Sequence, residues 1–416
     1  MTKNNPAIFQ SGSSRARAHT HPRTWVPAPE NQAGSKLLDG QTRHQQKPPG
    51  PTPNFVRRNT KSTSIHPFCL SSLFFICCSI APFYLFTAFH CLTAPPPLRI
   101  IVTTMSTPSK KYDVLIIGGG TAGLATALAV ARTIRTVCLF DGGSYGNSAS
   151  SHMHNVLTWD HKSPVDFRRA ARADIARYET VDFKDVKVTK VWKHDDDNFE
   201  VTDEQGNVTT GRRLVLATGT RDIFPNVTGF GDCWSKSIFN CLYCEGYEHR
   251  GAANVSVLAT ENVAAANVIE HHALMARQLG KHVTVYTHGS EEFVEQYKTR
   301  FGADADWVSI ETRKIERLHQ TDGQALIVEL EGGEKQEQTF MVHVPKPDPT
   351  LQFEHNLDLK LSDNGKEYKT DELLAKSVSE KHVWLPGDAS SLYRAVGWSM
   401  SRGATCAEGV VMSIMH

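Results

Sequence analysis

Cysteine is scarce in this 416-residue chain, nine in all, and only one pair, Cys241 and Cys244, stands in a C-x-x-C spacing. The absence of a second such pair excludes a ribbon-type zinc site, and the irregular spacing of the remaining cysteines excludes a secreted disulfide scaffold. Net charge is equally small, +1 at pH 7 with histidine neutral. Neither sign dominates as it would in a polyanion-binding protein, so no nucleic-acid partner is expected. Residues 67–94 form an apolar stretch that contains no Asp, Glu, Lys or Arg. That length would permit a membrane span, although Pro82 interrupts it. Acids are nearly absent from the front of the chain: residues 1–104 hold two, Glu30 and Asp39, against eleven Lys and Arg, whereas residues 105–416 hold 42 acidic and 34 basic side chains.

Residues 1–65 are rich in Pro, Ser, Thr, Asn, Gln and Arg without helical or strand periodicity, a composition that cannot bury enough surface to fold. Residues 1–104 are therefore read as a disordered, low-complexity extension. Three origins are open for it: a start placed upstream of a natural one at Met105, a membrane anchor at 67–94, or a targeting arm. Met105 leads almost directly into a nucleotide-binding strand, and 65 residues ahead of the apolar segment do not suit a cleaved signal peptide. The globular part is expected in the cytoplasm, with membrane contact only if the 67–94 segment is real.

From Lys111 onward, short β-branched runs alternate with Ala-rich amphipathic stretches, which predicts an α/β protein built of βαβ units. Residues 112–117 form a mostly apolar strand ending in Gly118-Gly119-Gly120-Thr121-Ala122-Gly123, and a helical stretch follows. In that context Gly118 permits the tight turn, Gly120 admits a pyrophosphate to the backbone, and Gly123 lets the helix pack on the strand. The helix N-terminus, at Thr121 and Ala122, then faces the phosphates. Residues 136–140 form the partner strand, and Asp141 at its end stands where an acid is expected on a ribose hydroxyl.

Cys241-Leu242-Tyr243-Cys244-Glu245-Gly246 carries the chemistry. Two thiols separated by two residues at a helix start can close a small ring, and the N-terminal dipole favours the thiolate, so the pair can move two electrons. A half zinc site lacks further ligands of suitable spacing, and no metal is expected. His152, His154, Asp160 and His161 form a polar group read either as loop caps or as the lining of a substrate entrance.

Leu216-Ala217-Thr218-Gly219-Thr220 resembles the A-T-G signature of two-domain flavoprotein disulfide reductases, and Leu385-Pro386-Gly387-Asp388-Ala389 resembles their C-terminal G-D motif. The resemblance spans residues 112–416, and a C-x-x-C downstream of the A-T-G segment is the chain order of the low-molecular-weight thioredoxin reductases. It implies two Rossmann-like domains of the three-layer ββα kind: a discontinuous FAD domain over 110–221 and 346–416, and a central domain over 222–345. It also implies FAD held by the first glycine loop, Asp388 on the ribityl chain, and the backbone at Ala395 and Val396 against the flavin pyrimidine ring. By the same resemblance Cys244 faces the flavin, Cys241 exchanges with substrate, Glu245 serves as general acid/base, and the protein is a homodimer.

One part of the pattern is missing. The family's second glycine loop, for NADPH, would follow the strand at residues 255–258, where the sequence reads Ala259-Thr260-Glu261-Asn262-Val263-Ala264-Ala265-Ala266. Side chains there obstruct a pyrophosphate, and no arginine cluster follows the next strand, so NADPH binding is doubtful. The combination resembles the gliotoxin-type dithiol oxidases of fungal secondary metabolism. It implies an FAD-dependent oxidase that closes a disulfide in a small dithiol and passes the electrons to molecular oxygen. An NADPH-dependent disulfide reductase and a flavin-binding protein without turnover are the alternatives.

Overall fold

The computed structural model describes residues 110–302 and 305–416. The 1–104 extension, with its apolar segment, lies outside the described residues. Among those described, no helix is long and apolar enough to cross a membrane.

The chain opens with β1 (Lys111–Ile117), α1 (Thr121–Ala131), β2 (Val137–Phe140), α2 (Pro164–Ala176) and β3 (Val181–Lys184). β1 and β2 pair in parallel, as do β2 and β3. The core of β1 is buried on both faces, which is why it reads as a continuous apolar run rather than an alternating one. An antiparallel meander follows: β4 (Val188–Asp195), β5 (Asn198–Asp203) and β6 (Val208–Leu216). Its β5–β6 turn is organised by Asp203, whose carboxylate accepts from the backbone N–H groups of Gln205 and Asn207. β6 then pairs in parallel with β1.

Next come β7 (Arg221–Ile223), α3 (Phe230–Cys233), β8 (Ile238–Phe239), α4 (Leu242–Glu245), β9 (Ala252–Leu258), α5 (Ala266–Arg277), β10 (Gly280–Tyr286), α6 (Val294–Phe301) and β11 (Val308–Glu311). Three strands, β12 (Ile315–Gln320), β13 (Leu326–Leu330) and β14 (Lys335–Gln338), form a separate antiparallel sheet, and β15 (Met341–Val342) returns to the parallel one. Its order is β11-β10-β9-β15-β8. The last part of the chain holds β16 (Lys346–Asp348), which pairs with β7, then β17 (Glu354–His355), β18 (Val383–Trp384) and α7 (Val396–Met415). β17 and β18 join the first sheet through β4 and β6. The result is an eight-stranded mixed sheet and a five-stranded parallel sheet, each with its own apolar core. Two Rossmann-like α/β units follow from this, and the final strand is only the two residues Val383 and Trp384.

The return of α7 onto α1 positions the site. Gly403 brings the helices so close that a Cβ there would lie 2.3 Å from the Ala122 carbonyl oxygen. The Thr126 hydroxyl donates to the Gly403 carbonyl at 3.0 Å across the same contact. A Gly403→Val substitution must push the helices apart, so we expect a loss of about 1–3 kcal/mol in denaturant unfolding. Met412→Ala, on the exposed side of α7, should stay within about 0.5 kcal/mol of the parent.

Candidate functional site: a flavin cradle facing a disulfide

A cavity of about 520 Å³ opens where the C-terminal ends of β1 and β6 meet the N-termini of α1 and α7. Its first wall is the turn after β1. Gly118 takes φ +116°, and a Cβ on it would lie 2.2 Å from the Ala217 carbonyl oxygen, so only glycine fits. Gly120, by contrast, has nothing within 4 Å of where a Cβ would stand. It forms the N-cap of α1 without a side-chain cap, so the first N–H groups of that eleven-residue helix are available to an anion in the cavity. Gly123 packs inward, its Cβ position 1.9 Å from the Gly118 carbonyl oxygen.

Of the residues picked from sequence, Gly118, Gly120, Thr121, Ala122, Ala217, Thr218, Gly219, Asp388, Ala395 and Val396 line this cavity. Gly123, Asp141 and Gly387 are absent from the lining and support it from behind. Asp141 is committed to its neighbours: its carboxylate accepts from Gly143 N–H at 3.0 Å, from the Tyr145 hydroxyl at 2.9 Å and from Arg172 at 3.3 Å. Gly387 has φ +79°, and a Cβ on it would come within 2.9 Å of the Ala122 methyl.

The opposite end of the cavity belongs to α7. Its N-cap, Ala395, offers no side-chain cap, so its leading N–H groups also point at the lumen. Asp388 stands beside them and accepts from the Ser399 hydroxyl at 2.9 Å. Burial pushes its carboxyl above the ordinary range, against the lowering pull of Ser399 and Arg394. A half-buried acid with capacity left beside two helix N-termini matches a ligand carrying hydroxyls at one point and negative charge at others. FAD has that character: a pyrophosphate for the glycine turn, a ribityl chain for Asp388, and a ring system for the α7 end.

Cys241 and Cys244 line the same cavity and are joined in a disulfide. Cys241 is the N-cap of α4, and Glu245 ends that single turn. Glu245 is half-buried, and burial raises its carboxyl above the usual glutamate range; Glu248 adds to the rise, while His154 and Ser150 oppose it. The three remaining described cysteines, Cys138, Cys233 and Cys406, are buried and unpaired. Burial pushes the Cys138 thiol up to about 12, so it holds its proton and serves as a core residue.

The histidine segment lies against the disulfide turn. His154 Nδ1 donates to the Cys244 carbonyl oxygen at 2.5 Å, and His154 Nε2 is 3.1 Å from His161 Nδ1. Asp160 caps the loop by accepting from Asn155 N–H at 2.7 Å. His152 and His154 line the cavity, and His152 and His161 line a neighbouring surface groove. Sequence reasoning did not find Tyr145, Arg168, Tyr393 or Trp398, which also line the cavity. Tyr145 and Tyr393 belong to irregular stretches whose direction no periodicity reports, while Arg168 in α2 and Trp398 in the first turn of α7 reach the cavity only through the packing of those helices.

The region expected to carry a second nucleotide loop is built differently. Residues 261–263 form a 3₁₀ turn after β9. The Asn262 side chain donates to the Pro345 carbonyl at 3.0 Å and accepts from Lys366 at 2.6 Å. After β10, His288 Nδ1 accepts from Ile315 N–H at 3.1 Å.

Residues 112–407 match the family model described as pyridine nucleotide-disulphide oxidoreductase. The chain is 45% identical to the thioredoxin reductase aclD of Aspergillus oryzae, over 73% of this chain and 96% of that one. It is 34% identical to the thioredoxin reductase sirT of Leptosphaeria maculans, over 74% and 95%. Among solved structures, an oxidoreductase from Agrobacterium tumefaciens superposes with a TM-score of 0.65 at 28% identity, covering 74% of this chain and 99% of that one. By this family match and these relatives, the chain, with a disulfide and two uncapped helix N-termini in one cavity, belongs to the pyridine nucleotide-disulphide oxidoreductase family and is an FAD-dependent thiol-disulfide oxidoreductase.

Proposed function

We propose that this protein is a dithiol oxidase: it closes a disulfide in a small-molecule dithiol at Cys241 and Cys244 and disposes of the electrons to oxygen. The observation that carries the reading is the pairing of a disulfide set in the flavin cavity with a second sheet whose nucleotide loop is spanned by Asn262. Side chains at 259–266, in place of glycines, leave a pyrophosphate no close approach to the backbone. A protein without a route for hydride from NADPH is suited to receive its electrons from the thiol substrate itself. The relatives' names favour the other direction, an NADPH-dependent disulfide reductase, which is the competing reading.

In the proposed exchange, a substrate thiol loses its proton to Glu245 and its sulfur bonds to Cys241 Sγ. The Cys241–Cys244 bond breaks and Cys244 departs as a thiolate. The second substrate thiol attacks the first substrate sulfur and gives its proton to the departing Cys241 sulfur, which leaves as a thiol. Two electrons have then moved from substrate to the cysteine pair, and two protons from the substrate to the cavity. The Gly118–Gly123 turn, Asp388 and the α7 N-terminus would hold FAD, which when bound would supply the two-electron acceptor for reclosing the cysteine pair, with oxygen as the final oxidant. The assignment of Cys244 to the flavin side, the carboxylate role of Glu245 and a homodimeric state are parts of this proposal.

Oxygen uptake with small dithiols should proceed without NADPH, and anaerobic addition of NADPH should leave the yellow absorbance intact. Rapid bleaching by NADPH would instead establish the reductase. Cys244→Ser should abolish dithiol-driven flavin bleaching while the protein stays yellow; turnover at the parent rate would end the scheme.

Glu245 must be ionised to accept a proton, and burial raises the pH at which it ionises. The exchange rate of the parent should therefore climb with pH along a limb lying above the ordinary glutamate value of about 4.3. In Glu245→Gln the rate should fall about 10²- to 10⁴-fold and that limb should disappear, as measured by stopped-flow from pH 5 to 9. An unchanged pH profile would remove Glu245 from the proton path.

A further inference from the structure

Two histidines and a glutamate meet beside the disulfide in a way the thiol chemistry does not use. The donor atoms of His154, His161 and Glu248 all lie within 4.8 Å of one another. His154 Nε2 is 3.1 Å from His161 Nδ1 and 3.6 Å from Glu248 Oε1. A tetrahedral zinc ion with bonds of about 2.0–2.1 Å sets its ligand atoms about 3.3–3.4 Å apart. These two separations straddle that value, and the third pair, His161 and Glu248, also lies within 4.8 Å, so an ion seats once the exposed His161 and Glu248 side chains draw in.

The outer nitrogens make the stronger argument. A histidine that ligates through one ring nitrogen characteristically donates from the other to a carbonyl or a carboxylate, which fixes its tautomer and aims its lone pair. His154 does this with the Cys244 carbonyl, through Nδ1. His161 has Asp160 beside its outer nitrogen, with the carboxylate 3.3 Å from Nε2. Both rings thus turn their remaining nitrogens toward the same point, where Glu248 supplies an oxygen. Neutral imidazoles and one carboxylate form a donor set that suits zinc and neighbouring first-row divalent ions. Three protein ligands leave a fourth position open.

We propose that His154, His161 and Glu248 form a zinc-class divalent cation site at the mouth of the disulfide cavity. Two ligands come from the loop between β2 and α2, and the third follows α4 directly, so a bound ion ties that loop to the turn bearing Cys241 and Cys244. The His154 bond to Cys244 extends the tie to the backbone of the redox pair. The site does not depend on the direction of the thiol reaction, on oxygen or on NADPH.

The test uses untagged, flavin-loaded protein with its disulfide closed, so that no free cavity thiol competes for metal. Titration with zinc chloride, followed by calorimetry, should show one saturable site per chain and a rise in the thermal midpoint. Cobalt(II) should give tetrahedral absorption bands beyond the flavin absorption. His161→Ala and Glu248→Gln should each weaken zinc binding by at least about tenfold, and Asp160→Asn, which keeps the loop cap, by about 10- to 100-fold. A Cys241→Ala/Cys244→Ala double variant should retain the site, since no sulfur belongs to it. Absence of saturable binding to the parent, or equal affinity in the parent and both ligand variants, would overturn the proposal. Loss of binding in the double cysteine variant alone would overturn it too, by placing the metal on sulfur.

Discussion

The close approach of three backbone segments at the head of α1 is the constraint on which the cavity depends. Gly118 must let the Ala217 carbonyl within a distance no Cβ allows, Gly123 must let α1 descend onto the turn, and Gly403 must let α7 descend onto α1. Those contacts join residues near 120, 217 and 403, so the cavity forms only when the last helix returns to the first. Its two helix N-termini converge because α1 and α7 both begin at the C-terminal edge of the same sheet. Anion-binding capacity is therefore a product of packing as much as of any side chain. Asp388 is set by the same packing: Gly387 takes a positive φ against Ala122, and the acid that follows enters the lumen.

The disulfide reaches that cavity from elsewhere in the chain. α4 is a single turn, too short to be stable by its own hydrogen bonds. The His154 ring donating to the Cys244 carbonyl supplies an external tie, and Leu242 is buried beneath the turn. Glu245 is partly withdrawn from water by the same arrangement, which gives a carboxylate beside a thiol pair a proton affinity nearer neutrality. Holding the pair in place and tuning its acid are thus consequences of one loop packing on one turn.

Much of this was legible in sequence because the chemistry sits on short, local patterns. Gly118, Gly120 and Gly123 announce a backbone shape directly, and the spacing of Cys241 and Cys244 announces a ring closure. Distant partners were not legible. Nothing local says that Asp141 spends its carboxylate on Gly143, Tyr145 and Arg172, or that His161 meets His154 and Glu248. The two-residue strand β18 was equally opaque: the apolar run continues through Leu385, which is buried but donates its N–H to the Ala375 carbonyl instead of extending the sheet. The antiparallel β12–β14 sheet carries the strand alternation, yet its attachment through Thr228 is a tertiary fact.

The second sheet has the Rossmann-like architecture of a nucleotide domain, and the loop after β9 is fastened by a side chain. β9, α5 and β10 form a parallel unit with buried strands, so selection for a packed core is still visible there. At the mouth of that unit Asn262 bridges Pro345 and Lys366, two positions far along the chain. A glycine at 262 could make neither bond, and a dinucleotide needs the space and backbone N–H groups that glycines provide. The demands are opposed: the side chain that fastens this loop is the kind of group a pyrophosphate must not meet. This opposition is what the proposed oxidase direction rests on: with no close seat for a pyrophosphate at this loop, the thiol substrate is the proposed electron source and the cysteine pair the proposed point of entry.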